Sequence, residues 1–433
     1  MLGAVGAWLA ALLFGSIGGD RSATLGMQID RQLIARGAYL AIAGDCTACH
    51  TAPNGRPFAG GLPIATPIGA VYSSNITPDK TYGIGNYSYG DFERAVRRGV
   101  TPQGYTLYPA MPYPSFARMT DADLRALYAY VEHGVQPAAQ PTKAPDIAWP
   151  LSMRWPLTYW RWLFAPRVSV AAESSGDALR DRGAYLVEGL GHCGACHTPR
   201  GIGLEEKALT ERDGALYLSG GEVDHYIASN LRGDLLTGLG TWSEGDIVQF
   251  LKTGRTANSA AFGGMSDVVT HSTQAMTDAD LHAIAHYLKS LPAAGSEAPF
   301  AYETKIASQL ASGNVAAPGS LDYLNNCAAC HRSTGRGYSE TFPALAGNPV
   351  VNAADPSSLI NIVLNGGTVP PTAEAPTHYT MPAFAGRLTD RQAAEVISFI
   401  RSSWGNRASP VSAAQVERIR AATHAAKPSI GGE

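Results

Sequence analysis

Charge is scarce in this chain. Asp, Glu, Lys and Arg make up 16% of it, against roughly a quarter in an ordinary soluble domain. Neither sign dominates: 33 basic and 36 acidic residues leave a net charge of −3, so a nucleic-acid partner is excluded. No Gly-x-Gly-x-x-Gly turn opens a helix after a strand, and no Ser-His-Asp arrangement stands out. The chain therefore has no constellation of its own for oxidising or hydrolysing a substrate. Past the N-terminus there is no second apolar run of 18 residues, which leaves peripheral contact as the only further route to a membrane.

What is present is ample apolar material. With 433 residues, 45% of them hydrophobic, the chain can build several small cores. The uncharged run Leu2 to Gly19 contains Trp8, Leu12, Leu13, Phe14 and Ile17 and is ended by Asp20 and Arg21. It reads as an export signal or signal anchor over residues 1–26. No basic residue precedes the run and no Ala-x-Ala site follows it, so both the cleaved and the retained form stay open.

All six cysteines fall in three identical settings: Cys46-Thr-Ala-Cys49-His50, Cys193-Gly-Ala-Cys196-His197 and Cys327-Ala-Ala-Cys330-His331. Disulfides would not demand a following histidine three times, and a redox Cys-x-x-Cys needs no triplicate. Zinc wants its pairs at finger-like separation, whereas these lie more than a hundred residues apart. Two thiols on a turn running into a helix reach the two vinyl groups on one porphyrin edge, and the adjacent histidine then lies under the iron. The sequence thus predicts three covalently bound haem c groups, with His50, His197 and His331 as proximal iron ligands. Such attachment is made outside the cytoplasm, in agreement with the leader.

The first cysteines are 147 and 134 residues apart, a period close to one small domain. Arg36-Gly37-Ala38-Tyr39-Leu40 precedes the first pair, Arg182-Gly183-Ala184-Tyr185-Leu186 the second, and a weaker echo, Leu321-Asp322-Tyr323-Leu324, the third. Each copy closes on a helix that a threonine caps: Thr120, Thr277 and Thr389, followed by acidic residues. A middle helix is legible at 91–98, 244–252 and 356–364. The predicted fold is all-α, three tandem cytochrome c-type domains at 27–140, 176–295 and 315–408. Linkers run from 141 to 175 and 296 to 314, and a tail covers 409–433. The first linker holds four of the seven tryptophans, interleaved with Arg154, Arg161 and Arg167, and suits either a lipid surface or packing across two domains. The tail reads as a weakly amphipathic helix that frays.

An electron-shuttling iron needs a second axial ligand, and a thioether raises its potential. Met119 and Met276 stand directly before the capping threonines, where the third copy has Leu388; leucine serves there, so the place is for packing. One more methionine per copy remains: Met111, Met265 and Met381, which follow the histidines by 61, 68 and 50 residues. Proline after Met111 and Met381 stiffens the loop; Met265 lacks it. These three are the predicted distal ligands, with His271 and His378 as alternatives, and His133 and His192 as structural residues.

Several stretches carry a family likeness: Cys46-Thr-Ala-Cys49-His50-Thr51, Thr66-Pro67-Ile68-Gly69 running to Asn75-Ile76-Thr77-Pro78-Asp79, Tyr108-Pro109-Ala110-Met111-Pro112-Tyr113 and Pro150-Leu151-Ser152-Met153-Arg154-Trp155. Through them the chain, from about 30 to 405, resembles the three-haem cytochrome c subunit of membrane-bound alcohol and sugar dehydrogenases. That resemblance implies electron transfer from an FAD- or PQQ-type catalytic subunit to membrane ubiquinone, on the periplasmic face of the bacterial inner membrane. An independent or oxidase-docked carrier, or a haem enzyme such as a peroxidase, are the competing functions.

Overall fold

In the computed structural model, residues 30–168 and 174–426 are described; the leader lies outside them, as do residues 169–173 and 427–433. Unit 1 opens with α1 (Arg31–Ala43), which Asp30 caps, and passes into the short turn Cys46–His50. A hairpin of β1 (Pro63–Thr66) and β2 (Gly69–Tyr72) follows, then α2 (Tyr89–Arg98) and the closing helix α3 (Asp121–His133). The segment between units gives β3 (Asp146–Ile147), which pairs with β2 through Gly69 and Ala70, and α4 (Trp155–Phe164). Unit 2 repeats the plan with α5 (Ala178–Ala184), β4 (Gly221–Val223), β5 (Tyr226–Ala228), α6 (Glu244–Thr253), α7 (Gly264–His271) and α8 (Asp278–Ser290). Unit 3 has α9 (Ser320–Asn326), α10 (Ser357–Asn365), β6 (Gly367–Val369), β7 (Tyr379–Met381), α11 (Asp390–Arg401) and a last helix α12 (Ala413–Ala426).

Opening and closing helices cross in each unit at a glycine. A Cβ on Gly37 would stand 1.9 Å from the Ala126 carbonyl oxygen, one on Gly183 2.0 Å from that of Ala283, and one on Gly319 2.3 Å from that of Glu395. Only hydrogen fits at any of the three. These glycines fix the equivalence of the copies, and they show that the spacing to the first cysteine is nine, ten and eight residues. The extra residue of unit 2 is absorbed by a π-helical turn, Tyr185–Leu190, the usual way a helix takes in one insertion. The capping threonines do as expected, accepting from the backbone N–H of Asp123, Asp280 and Gln392. Met119, Met276 and Leu388 are all buried before them.

That shared threshold is held by a base in each copy. Arg97 donates to the Met119 carbonyl at 2.5 Å and pairs with Asp121 at 2.6 Å; Lys252 makes the same two contacts with Met276 and Asp278. In unit 3 the base comes from the tail. Arg420 on α12 reaches the Leu388 carbonyl at 2.9 Å and Asp390 at 2.7 Å, while Val416 and Ile419 are buried in the core of that unit. The expected frayed tail is instead a packed helix, because its apolar side chains find a groove and its arginine an anchor.

Two expectations need correction. The chain is predominantly helical but not all-α: a three-stranded sheet and two two-stranded sheets, all antiparallel, are present. Strands of two to four residues are too short to show a period of two in sequence. And the three repeats do not make three cores. Among the described residues, buried apolar side chains gather in two clusters, one spanning units 1 and 2 and one confined to unit 3.

Units 1 and 2 are joined by a reciprocal clasp. Arg36 pairs with Asp123 and Arg182 with Asp280, each within its own unit. The tyrosines cross over: Tyr39 donates to Asp280 at 2.5 Å and Tyr185 to Asp123 at 2.6 Å. Burial pushes the Asp280 carboxyl up, but the bonds from Arg182 and Tyr39 outweigh it and hold the group below the ordinary carboxylate value.

Candidate haem sites

Each Cys-x-x-Cys-His segment is a single helical turn, and each histidine emerges from it with the same second partner. The Nδ1 atom of His50 lies 2.7 Å from the Ser74 carbonyl, that of His197 2.7 Å from Ser229, and that of His331 2.9 Å from Pro343. Ser74 stands two residues after β2 and Ser229 directly follows β5, so the small sheets deliver the oxygen that orients the ring. With Nδ1–H donated to a carbonyl, the Nε2 lone pair is left for a metal. Burial lowers the pKa of all three imidazoles, the carbonyl bond opposing it, so they stay neutral and able to ligate.

The cysteines form no disulfides. Burial raises the thiols of Cys46, Cys193 and Cys327 to about 12, which marks the pockets as apolar. Cys49 is raised to about 11, first by burial, then by the charges of Asp45 and Cys196. The second cysteines of units 1 and 2 are therefore within electrostatic reach of one another. Around them a Cβ on Gly44 would meet Leu190 at 3.0 Å, and Asp45 and Glu206 are carboxyls that burial raises to about 7.

In unit 1 one large cavity brings Cys46, Cys49, His50 and Met111 together, with Phe58, Ile84, Phe92 and Leu127 as apolar wall. Lys143, Arg154 and Tyr108 also line it. The Tyr108 hydroxyl is buried with no hydrogen-bonding partner among the described residues, and the Arg154 guanidinium sits 4.0 Å from the centre of its ring. A flat apolar group with acidic substituents at one edge fits this donor set, and haem is such a group. Met381 lies on β7, opposite Gly367, and packs on the unit 3 core. Met265 is not on a loop, as its neighbours suggested, but in the first turn of α7. Phe262, shortly before it, packs on Tyr226, the strand that leads to Ser229.

Sequence reasoning overlooked two groups here. His192, expected to be structural, reaches out of unit 2 to line the unit 1 cavity, its ring 5.5 Å from that of Phe116. Arg154 comes to the same cavity from the segment between the units. No local motif marks either residue, since both act across a boundary of the repeat. The alternative ligands His271 and His378 are exposed, and His271 Nδ1 is engaged by the Asp267 carbonyl in its own helix.

Three neutral imidazoles, each pinned by a carbonyl beside a thiol pair, define a c-type cytochrome, and the sequence profile of the cytochrome c family matches residues 34–134 and 316–404, units 1 and 3. The gluconate 2-dehydrogenase cytochrome c subunit of Pantoea cypripedii is 55% identical over 399 residues, 91% of this chain and 90% of that one. The cytochrome c subunit of the quinone-dependent alcohol dehydrogenase of Gluconacetobacter polyoxogenes is 54% identical over 396 residues, covering 90% and 85%. The fructose dehydrogenase cytochrome subunit of Gluconobacter japonicus is 38% identical over 417 residues, covering 90% and 83%. The chain belongs to this family of dehydrogenase cytochrome c subunits. It is an electron-transfer subunit, with substrate oxidation assigned to a separate one.

Proposed function

We propose that the chain binds three covalent haem c groups and carries electrons from an FAD- or PQQ-type catalytic subunit, acting on an alcohol or sugar, to membrane ubiquinone at the periplasmic face. The observation that carries this reading is the threefold Cys-x-x-Cys-His turn with its imidazole Nδ1 held by a carbonyl. Cys46 and Cys49, Cys193 and Cys196, and Cys327 and Cys330 are the thioether donors. His50 with Met111, His197 with Met265, and His331 with Met381 are the axial pairs. Bound haem supplies a one-electron iron couple, whose potential a thioether ligand raises.

The residues themselves orient and exclude. The carbonyls of Ser74, Ser229 and Pro343 fix the tautomer and ring plane of each histidine. Phe58, Phe92 and Leu127 keep water from the first site, and Arg154 with Tyr108 offers donors to acidic substituents of the bound group. Among the described residues no helix is long and apolar enough to cross a membrane; membrane association would then rest on the leader or on surface contact.

The test is purification from native membranes, with covalent haem counted per chain and co-eluting chains identified. Three haems, a flavin- or quinone-cofactor dehydrogenase and reduction of a ubiquinone analogue are expected. Fewer than three haems, or recovery with no such dehydrogenase, overturns the reading. Carbon monoxide binding by the reduced protein would favour an enzymatic haem instead.

A further inference from the structure

Helix α4 wears its apolar stripe on the outside. Trp155, Tyr159, Trp162 and Leu163 are 60%, 48%, 78% and 62% exposed. They stand at i, i+4, i+7 and i+8, which is one face of a helix. Trp149, Leu151 and Met153, in the loop before it, are exposed as well, and no residue of the helix is buried.

The opposite edge is firmly fastened. Trp160 donates its indole N–H to the Gly203 carbonyl at 2.6 Å in unit 2 and packs edge-on against Tyr113 of unit 1. Thr158 meets the Thr106 hydroxyl at 3.3 Å, and Arg154 stacks on Tyr108. A helix strapped this way across two units could not turn its stripe inward; the exposure is built in.

The chemistry of the stripe selects its occupant. Between Asp146 and Glu173 the sequence has no acidic residue; Arg154 and Arg161 turn to the fastened side, the first onto Tyr108 and the second with its Nε buried, and Arg167 just past the helix is exposed. Exposed indole and phenol rings on a segment of net positive charge match the headgroup layer of a bilayer carrying negative charge. Ten residues of helix span about 15 Å, half the hydrocarbon thickness, so the segment can lie in the interface but not cross it. We infer that α4 and the loop before it dock the protein on an anionic phospholipid surface, next to the unit 1 cavity that Arg154 lines. The inference rests on the reading of the chain as a membrane-associated subunit and names the residues that make the contact.

Native cysteines are occupied as thioethers in the haem-loaded protein, so an introduced thiol can be labelled alone. Full-length haem-loaded Trp162→Cys and, as an exposed control on α9 of unit 3, Leu321→Cys, are treated with a charged maleimide with and without vesicles of phosphatidylcholine and phosphatidylglycerol. Labelling at position 162 should slow by about tenfold or more with the anionic vesicles, while position 321 keeps its rate. In parallel, Trp155→Ser/Trp162→Ser should weaken vesicle flotation. An unchanged rate at 162, equal slowing at both positions, or protection only by the separate catalytic subunit overturns the inference. Any of those results with three haems bound and a dehydrogenase co-purifying would leave the proposed function standing.

Discussion

Units 1 and 2 meet through a clasp that unit 3 has no residues to make. At the places of Arg36, Tyr39 and Asp123, and of Arg182, Tyr185 and Asp280, the third copy has Pro318, Leu321 and Gln392, and Leu321 is 54% exposed. Unit 3 joins unit 2 by different means. Ser358 hydrogen-bonds the backbone of Ile227, Asn361 the carbonyl of His225, and Arg255 those of Pro370, Ala375 and Thr377. The first pair shares an apolar core; the second junction is polar and borrows backbone. Matching Cys-x-x-Cys-His turns are thus mounted on two kinds of joint, and the difference teaches that the repeat conserves the grip on the histidine and not the way copies associate.

The anchor of the closing helix sharpens that contrast most. Arg97 and Lys252 come from within their own units, whereas Arg420 comes from the tail. Arg420→Ala removes donors to Asp390 and to the carbonyls of Ala385 and Leu388 and should cost unit 3 about 2–3 kcal/mol. It should also expose α12 to protease while units 1 and 2 keep their denaturation midpoint. A tail that stays protected, with no shift in any transition, would mean that apolar packing alone holds it.

A smaller effect tests the clasp. Tyr39→Phe deletes a hydrogen bond to a carboxylate and should destabilise the shared core of units 1 and 2 by about 1–2 kcal/mol; Tyr185→Phe should match it if the two halves are equivalent. Leu321→Ala, at the corresponding place in unit 3, should stay within about 0.5 kcal/mol. Chemical denaturation followed by far-ultraviolet circular dichroism reads all three. Similar costs for Tyr39→Phe and Leu321→Ala would erase the distinction between the two joints.

Much of each unit was legible in sequence because its signals are local: the Cys-x-x-Cys-His turns, the threonine caps and, in units 1 and 2, the Arg-Gly-Ala-Tyr-Leu stretch of the opening helix. The middle helices fell within two residues of their observed bounds; in the structure the boxes Ser88–Asp91 and Ser243–Asp246 open the first two. What escaped was set by tertiary contact. The strands owe their place to the loop that carries Ser74 or Ser229 back to a histidine, and so few residues leave no periodic trace. The merging of two repeats into one core turns on Tyr39 and Tyr185 finding each other's aspartates, which no pattern within one copy announces. The tail helix has a weak apolar stripe, and only the groove in unit 3 gives Val416 and Ile419 somewhere to go.

The least effect expected separates units 1 and 2 from each other. His286 on α8 bridges Asp177, which caps α5, and Glu244, which opens α6, both at 2.9 Å. Unit 1 has Ala129 at the corresponding place after Thr120, with no charge to gain. The bonds from Asp177 and Glu244 raise the His286 pKa above its ordinary value, burial opposing them weakly. A group raised in the folded state stabilises it fully below the unfolded pKa, near 6.5, and the gain is lost as pH rises through the folded value. His286→Gln should therefore lower the melting temperature more at pH 5.5 than at pH 9. The group is partly exposed, so the difference should be small and shrink with added salt. An equal loss at both pH values would show that the ring serves by packing and neutral hydrogen bonds, and that unit 2 is no more pH-sensitive than unit 1.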